Sequence, residues 1–143
     1  MEKQLATIDS QHTPRLIKEF TYNNMVFLEA WLIDLKIEFK CGRYEVYYKT
    51  GYCPEKIPES IVLNETDSDK LDEFFAELKI KRWKANYVKE YILDGESWTI
   101  NVTFFDGTTR EIEGSNHYPT KWQRFEAMLK WIQEKYMNNA EVL

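Results

Sequence analysis

The strongest periodicity in the chain lies near its C-terminal end, where Trp122, Phe125, Leu129, Ile132 and Tyr136 recur at spacings of three and four. That rhythm puts five large apolar side chains on one stripe of an amphipathic helix. Pro119 is expected to open the helix at its first position, where a missing N–H costs nothing, and Asn138-Asn139 to end it. A second stripe, Leu71, Phe74, Phe75 and Leu78, predicts another helix. Thr66, Asp67 or Ser68 can cap that helix, acidic residues crowd its first turn, and Lys79, Lys81 and Arg82 close it where cations suit the dipole.

Elsewhere the period is two. In residues 29–40, Trp31, Ile33, Leu35, Ile37 and Phe39 fall on one face, and Asp34, Lys36, Glu38 and Lys40 on the other. This is the pattern of a half-buried antiparallel strand. Cys41-Gly42 gives a short turn, and residues 43–50 return with Tyr44, Val46 and Tyr48 on one side and Glu45, Tyr47 and Lys49 on the other. A second hairpin follows. Trp98, Ile100, Val102 and Phe104 alternate with Thr99, Asn101 and Thr103, Asp106-Gly107 reads as a two-residue turn, and residues 108–113 return before residues 114–116 break the strand. Residues 16–22 alternate weakly as a first strand, ended by Asn23-Asn24 as a turn. Residues 51–64, with Pro54 and Pro58, read as a connecting loop, and residues 1–13 as a loose arm.

The order βββ-α-ββ-α predicts one α+β domain over residues 1–143. Its antiparallel sheet would have about five strands, with two helices packed on one face. The opposite face is then left for water, a partner or a second copy of the chain.

A length of 143 residues suits one domain whose core needs no disulfide or metal. Five Trp, nine Tyr and eight Phe supply the buried area. The net charge of −5 disfavours a general phosphate-backbone binder. The first ten residues show no secretory pattern, and residues 25–39 are broken by Glu29, Asp34, Lys36 and Glu38, so no membrane span is expected. Cys41 and Cys53 are expected as reduced thiols, and the chain is placed in the cytoplasm. The Asn64-Glu65-Thr66 and Asn101-Val102-Thr103 acceptor patterns carry no weight there.

Three groups of residues in the second half share a recognisable spacing. They are Lys81-Arg82-Trp83-Lys84 with Tyr87, then Asp94-Gly95-Glu96-Ser97-Trp98, then Gly114-Ser115-Asn116-His117-Tyr118-Pro119 with Trp122. Over about residues 66–135 the chain thereby resembles a group of small bacterial proteins of unknown function. That group carries a DGxxW strand start and a GSNxYPxx[W/F] strand-to-helix junction. The resemblance implies a shared fold and transfers no catalytic or binding residue.

Each candidate site has a plain structural alternative. Ser115, Asn116, His117 and Tyr118 could hold a small anion at a helix N-terminus. Equally, Gly114 could take a left-handed turn while Ser115 or Asn116 caps the helix. Without a second glycine and a lysine the segment is no phosphate loop. Tyr44, Tyr47, Tyr48 and Tyr52 could form an exposed interface on one face of their strand, or ordinary sheet packing. Trp83, Tyr87 and Tyr91 among Lys79, Lys81, Arg82, Lys84 and Lys89 could stack on bases, or could pack beneath a helix end. The acidic run Glu59, Glu65, Asp67, Asp69, Asp72, Glu73 and Glu77 could meet a basic partner, or could be a solvated helix start. His12 and His117 lack metal-ligand spacing, and no serine sits in a nucleophile elbow, so no catalytic residue, metal or cofactor is assigned. The sequence thus favours a protein-interaction module, acting on itself or on another protein, with a small-ligand or anion site at residues 114–119 as the alternative.

Overall fold

The computed structural model describes residues 15–26, 33–50, 60–88 and 95–142. The arm at residues 1–13 and the candidates Tyr52 and Tyr91 lie outside them. The elements are β1 (Ile17–Val26), β2 (Ile33–Lys40), β3 (Arg43–Thr50), β4 (Ile61–Val62), α1 (Glu65–Leu78), a 3₁₀ turn (Ile80–Arg82), β5 (Asn86–Val88), β6 (Glu96–Phe104), β7 (Thr109–Ser115) and α2 (Trp122–Val142). The strands form one sheet in the order β4-β3-β2-β1-β6-β7-β5. All neighbours are antiparallel except β5 and β7, which run parallel.

The fold is α+β with a seven-stranded mixed sheet, which corrects the expected antiparallel sheet of about five. The two added strands are both at sheet edges. β4 has two residues, at the end of a segment read as loop, and β5 has three. Neither is long enough to show a period. α1 carries the chain from edge strand β4, across one face of the sheet, to edge strand β5 at the opposite side.

The alternating residues fall as the period demands. Phe20 and Tyr22 of β1 sit beside Ile37 and Leu35 of β2 and beside Val102 and Ile100 of β6, and all six are buried. Helix residues cover them. Phe20 meets Phe75 of α1 at 5.3 Å and Phe125 of α2 at 6.0 Å, and Tyr48 of β3 meets Tyr136 of α2 at 5.7 Å. Each fully buried aromatic contributes about 1.5–3 kcal/mol from removal of apolar area, with ring pairs adding about 0.5–1.5. Trp98, Ile100, Phe125 and Ile132 are all buried, so both helices pack on one face.

Several local expectations are corrected. Asn23-Asn24 is no turn, because β1 runs through both residues. Asn24 is tolerated in mid-strand because its side-chain oxygen accepts from Ile33 N–H at 2.7 Å and its Nδ2 donates to Glu96 Oε2 at 2.7 Å. The cap of α1 is Asn64, whose side chain accepts from Asp67 N–H at 2.7 Å. The helix ends at Leu78 with Lys79 in the left-handed region, which places Lys81 and Arg82 in the following turn. Pro119 precedes α2 by three residues, and Trp122 N–H donates to its carbonyl at 3.1 Å. Four residues, Phe105, Asp106, Gly107 and Thr108, join β6 to β7, and the turn is closed by Phe104 N–H to Thr108 O at 2.9 Å and Gly107 N–H to Phe104 O at 3.0 Å. Gly107 at φ +91° supplies the left-handed residue this loop needs.

Candidate functional site

The segment from Gly114 to Pro119 and the segment starting at Gly95 prove to be two sides of one clasp. Gly114 lies inside β7 opposite Trp98. A Cβ there would stand 2.3–2.5 Å from the Trp98 indole, so the glycine serves close packing and adopts no left-handed turn. The left-handed residue is Asn116, at φ 54°. Its N–H donates to Glu96 O at 2.9 Å, and its Oδ1 accepts from Glu96 N–H at 2.9 Å. Gly95 is fixed by the same contact, since a Cβ there would lie 1.9 Å from Asn116 Oδ1. Trp98 Nε1–H donates to His117 O at 3.1 Å, and Tyr118 O–H donates to Glu96 Oε1 at 2.6 Å. Trp122 closes the stack at 4.6 Å from Trp98 and 4.9 Å from Tyr118. The clasp therefore joins the start of β6 to the start of α2.

Of the four candidate ligand residues, Asn116 and Tyr118 converge on Glu96. The exposed His117 stands edge-on to Tyr87 at 5.7 Å, and Ser115 stays in β7 beside Ser97 and Val88. The Asn116 oxygen is occupied within the fold. Burial, then the bond to Glu96, raises the Tyr118 pKa well above that of an ordinary tyrosine. Burial, then the Glu96 charge, does the same for Tyr22. Sequence reasoning missed Tyr22, Asn24 and Glu96 in this neighbourhood. The one available signal was a polar Asn24 inside an otherwise strand-like run.

The tyrosines of β3 divide between the faces. Tyr44 and Tyr48 are buried under the helices, and only Tyr47 lies on the uncovered face. Tyr44 is tied to a buried ionic node: its hydroxyl lies 2.7 Å from Ile17 O and 2.8 Å from Asp72 Oδ1, and Asp72 pairs with Arg15. Burial pushes the Asp72 pKa up, against the opposing pull of Tyr44 and Arg15. Ser68 Oγ accepts from Tyr44 N–H at 3.1 Å in the same node. This network locks α1 to β1 and β3, and explains why a polar face of the helix is buried.

The uncovered sheet face is polar and ordered in rows. One row runs Tyr47, Lys36, Thr21, Asn101 and Glu111 from β3 to β7, and the next runs Lys49, Asp34, Asn23, Thr99 and Glu113. A broad, shallow concavity of about 840 Å³ lies over Thr21, Asn23, Lys36, Glu38, Tyr47 and Lys49. Lys40 Nζ stands 3.5 Å from the Tyr47 hydroxyl, and that bond, with the Glu38 charge, raises the lysine pKa.

Several of the other candidates are engaged internally, while Glu59 and Lys89 lie outside the described residues. Trp83 is buried with Nε1–H donating to Leu78 O at 2.7 Å, and Tyr87 is buried on Trp98. Lys81 pairs with Asp106, Glu77 with Arg124, Asp67 with Lys135, and Asp69 with Arg15. Among the described residues no cluster of three His, Cys, Asp or Glu could hold a metal ion, and no helix is long and apolar enough to cross a membrane.

Comparison of the chain with protein-family models, curated proteins and solved structures gives no match. The functional reading therefore rests on the surface chemistry.

Proposed function

We propose that this chain is a non-catalytic protein-interaction module that pairs with a second copy of itself through the uncovered sheet face. The observation that carries the reading is the charge gradient along the rows of that face. The β2–β3 side presents Lys36, Lys40, Arg43 and Lys49 among three carboxylates, whereas β7 presents Glu111 and Glu113, with which no cation pairs among the described residues. β1 is the middle strand of seven. A two-fold axis running along β1 would therefore lay β7 of one copy over β3 of the other. Glu113 would then face Lys49, Glu111 would face Tyr47 with Lys36 one strand away, and the uncharged Thr21 and Asn23 would meet at the centre. Such a contact is isologous, as in the commonest soluble oligomers.

The dimensions suit a small, weak interface. The five longer strands, β3 to β7 across the sheet, span four spacings of about 4.8 Å, and about eight residues at about 3.3 Å each give them a face of about 500 Å². A standard interface buries about 800 Å² per partner. Stacked sheets lie about 10 Å apart, a gap that a Lys and a Glu reaching from opposite sides can close. The interface would be wet and polar, so its affinity should fall with salt as the Debye length shrinks from about 8 Å to about 3 Å at 1 M.

Sedimentation equilibrium tests the reading. A dimer is expected at low salt, weakened by Lys49→Glu alone and by Glu113→Lys alone, and restored when the two reversals are combined. A monomer under all conditions, or a dimer indifferent to both single reversals, would refute it.

A further inference from the structure

A buried row of three oxygens lies beneath α1, on the helix side of the sheet and away from the proposed contact between copies. The Tyr44 hydroxyl stands 2.7 Å from Ile17 O and 2.8 Å from Asp72 Oδ1. Both are the lengths of separate O–H···O bonds, and one proton split between two acceptors would lengthen both contacts. Each contact therefore holds a proton of its own. Tyr44 supplies one, and the Ile17 carbonyl only accepts. The second proton has to sit on Asp72.

The surroundings suit a neutral acid at that position. Asp72 is 9% exposed and Tyr44 is fully buried. The charged and titratable groups facing Asp72 are Arg15 from the segment ahead of β1, Tyr44 from β3, and Asp69 from its own helix. β2 contributes the uncharged Phe39 ring, 5.0 Å from Tyr44. On α2, Arg124 and Lys135 are held by Glu77 and Asp67. Arg15 reaches Asp69 at 3.1 Å as well as Asp72 Oδ2. Its charge is thus balanced by Asp69, and a protonated Asp72 can accept from Arg15 through Oδ2 while Oδ1–H donates to Tyr44. Burial, the largest influence, raises the Asp72 pKa above 3.8, in the same direction.

We propose that Asp72 and Tyr44 form a pH-sensitive latch on the start of β1. In its closed state Asp72 Oδ1–H donates to the Tyr44 oxygen, and Tyr44 O–H donates to Ile17 O. When rising pH draws the Asp72 proton into solvent, the Tyr44 proton turns to the new carboxylate and the bond to Ile17 is lost. α1 then keeps its ion pair with Arg15 and loses its relay to Ile17. A carboxyl pKa raised by folding contributes stability that is fully present below the unfolded value of 3.8 and is lost as pH rises through the folded value. Each unit between the two values lowers the ratio of folded to unfolded chain about tenfold on the alkaline side.

Carboxyl-carbon NMR of the unaltered chain gives the first test. The Asp72 carboxyl carbon is expected to titrate with a midpoint above 3.8, and the Ile17 carbonyl carbon to move in step with it. In Tyr44→Phe the Ile17 step should disappear. Asp72→Asn fixes the closed pattern, since its amide N–H donates to Tyr44 and its amide oxygen accepts from Arg15. Denaturant melts should show wild type losing stability relative to Asp72→Asn as pH rises through the midpoint. Three results would each overturn the latch: a midpoint at or below 3.8, an Ile17 step that is absent or that survives in Tyr44→Phe, and wild type gaining on Asp72→Asn with rising pH. The carboxyl titration needs no variant, so it decides even where Asp72→Asn fails to fold.

Discussion

At the scale of single residues, the clasp shows how roles are exchanged within one motif. One of the two alternatives that the sequence leaves open puts Gly114 in the left-handed turn and Ser115 or Asn116 at the cap. In the structure Asn116 adopts the left-handed backbone, and Gly114 makes room for an indole. Nothing in the local sequence separates these assignments, because the reason for Gly114 lies on Trp98, a strand away. The contact has a measurable consequence. Gly114→Ala pushes a methyl into a side chain that is itself 1% exposed and cannot retreat. The expected loss is about 1–3 kcal/mol, the usual cost of overpacking. For a domain of this size that corresponds to a fall in Tm of roughly 2–4 °C for each kcal/mol. Adding Trp98→Phe removes the atoms that collide, so a double-mutant cycle in denaturant melts should show favourable coupling between the two changes. A Gly114→Ala protein as stable as wild type would mean that the close approach carries no energetic weight.

At the scale of elements, long alternating runs were legible and short or irregular pieces were not. β2, β3 and β6 could be read because each holds several apolar positions whose partners also alternate. β4 and β5 could not, since their existence depends on an edge presented by a neighbour rather than on their own pattern. The β6–β7 hairpin is intermediate: Asp106-Gly107 marked its position, while the loop length depended on where Phe104 and Thr108 paired. Asp106 stabilises that loop from within. Its carboxylate accepts from Thr108 N–H at 2.8 Å, from the Thr108 hydroxyl at 2.5 Å and from Lys81 at 3.0 Å. The Thr108 bonds first, and then Lys81, lower its pKa from 3.8 to about 2. A carboxylate pKa lowered by folding contributes stability above its unfolded value, and that contribution is lost as pH falls through the folded value. The Thr108 amide resonance should therefore hold steady down to about pH 4 and titrate with a midpoint near 2. The Asp106→Asn protein should show no such step. A midpoint at the ordinary 3.8 would show that the loop bonds are not maintained in solution.

At the scale of the whole molecule, the sheet order makes β1 the spine. It pairs with β2, which follows closely in the chain, and with β6, whose residue Phe104 lies opposite Ile17 after a long excursion through α1. That long-range pairing was invisible in the sequence, because hairpin signals report only neighbours along the chain and β1 has none with β6. It also decides where stability is concentrated. Residues Glu19 to Asn23 of β1 have a strand on either side, while β4 and β5 each have one neighbour and a few backbone bonds. Opening an edge strand exposes little apolar surface, whereas opening β1 exposes Phe20 and Tyr22 together with everything packed on them. Native-state hydrogen exchange should thus find the slowest amides in β1 and in the β2 and β6 residues facing it, exchanging only by global unfolding. Amides of β4 and β5 should exchange through local opening at lower free energy. If the amides of β5 instead shared the protection of β1 and fell in step with it under mild denaturant, the sheet would open as one unit from edge to edge. The central strand would then have no privileged place, and a dimer axis along β1 would lose its physical basis as well.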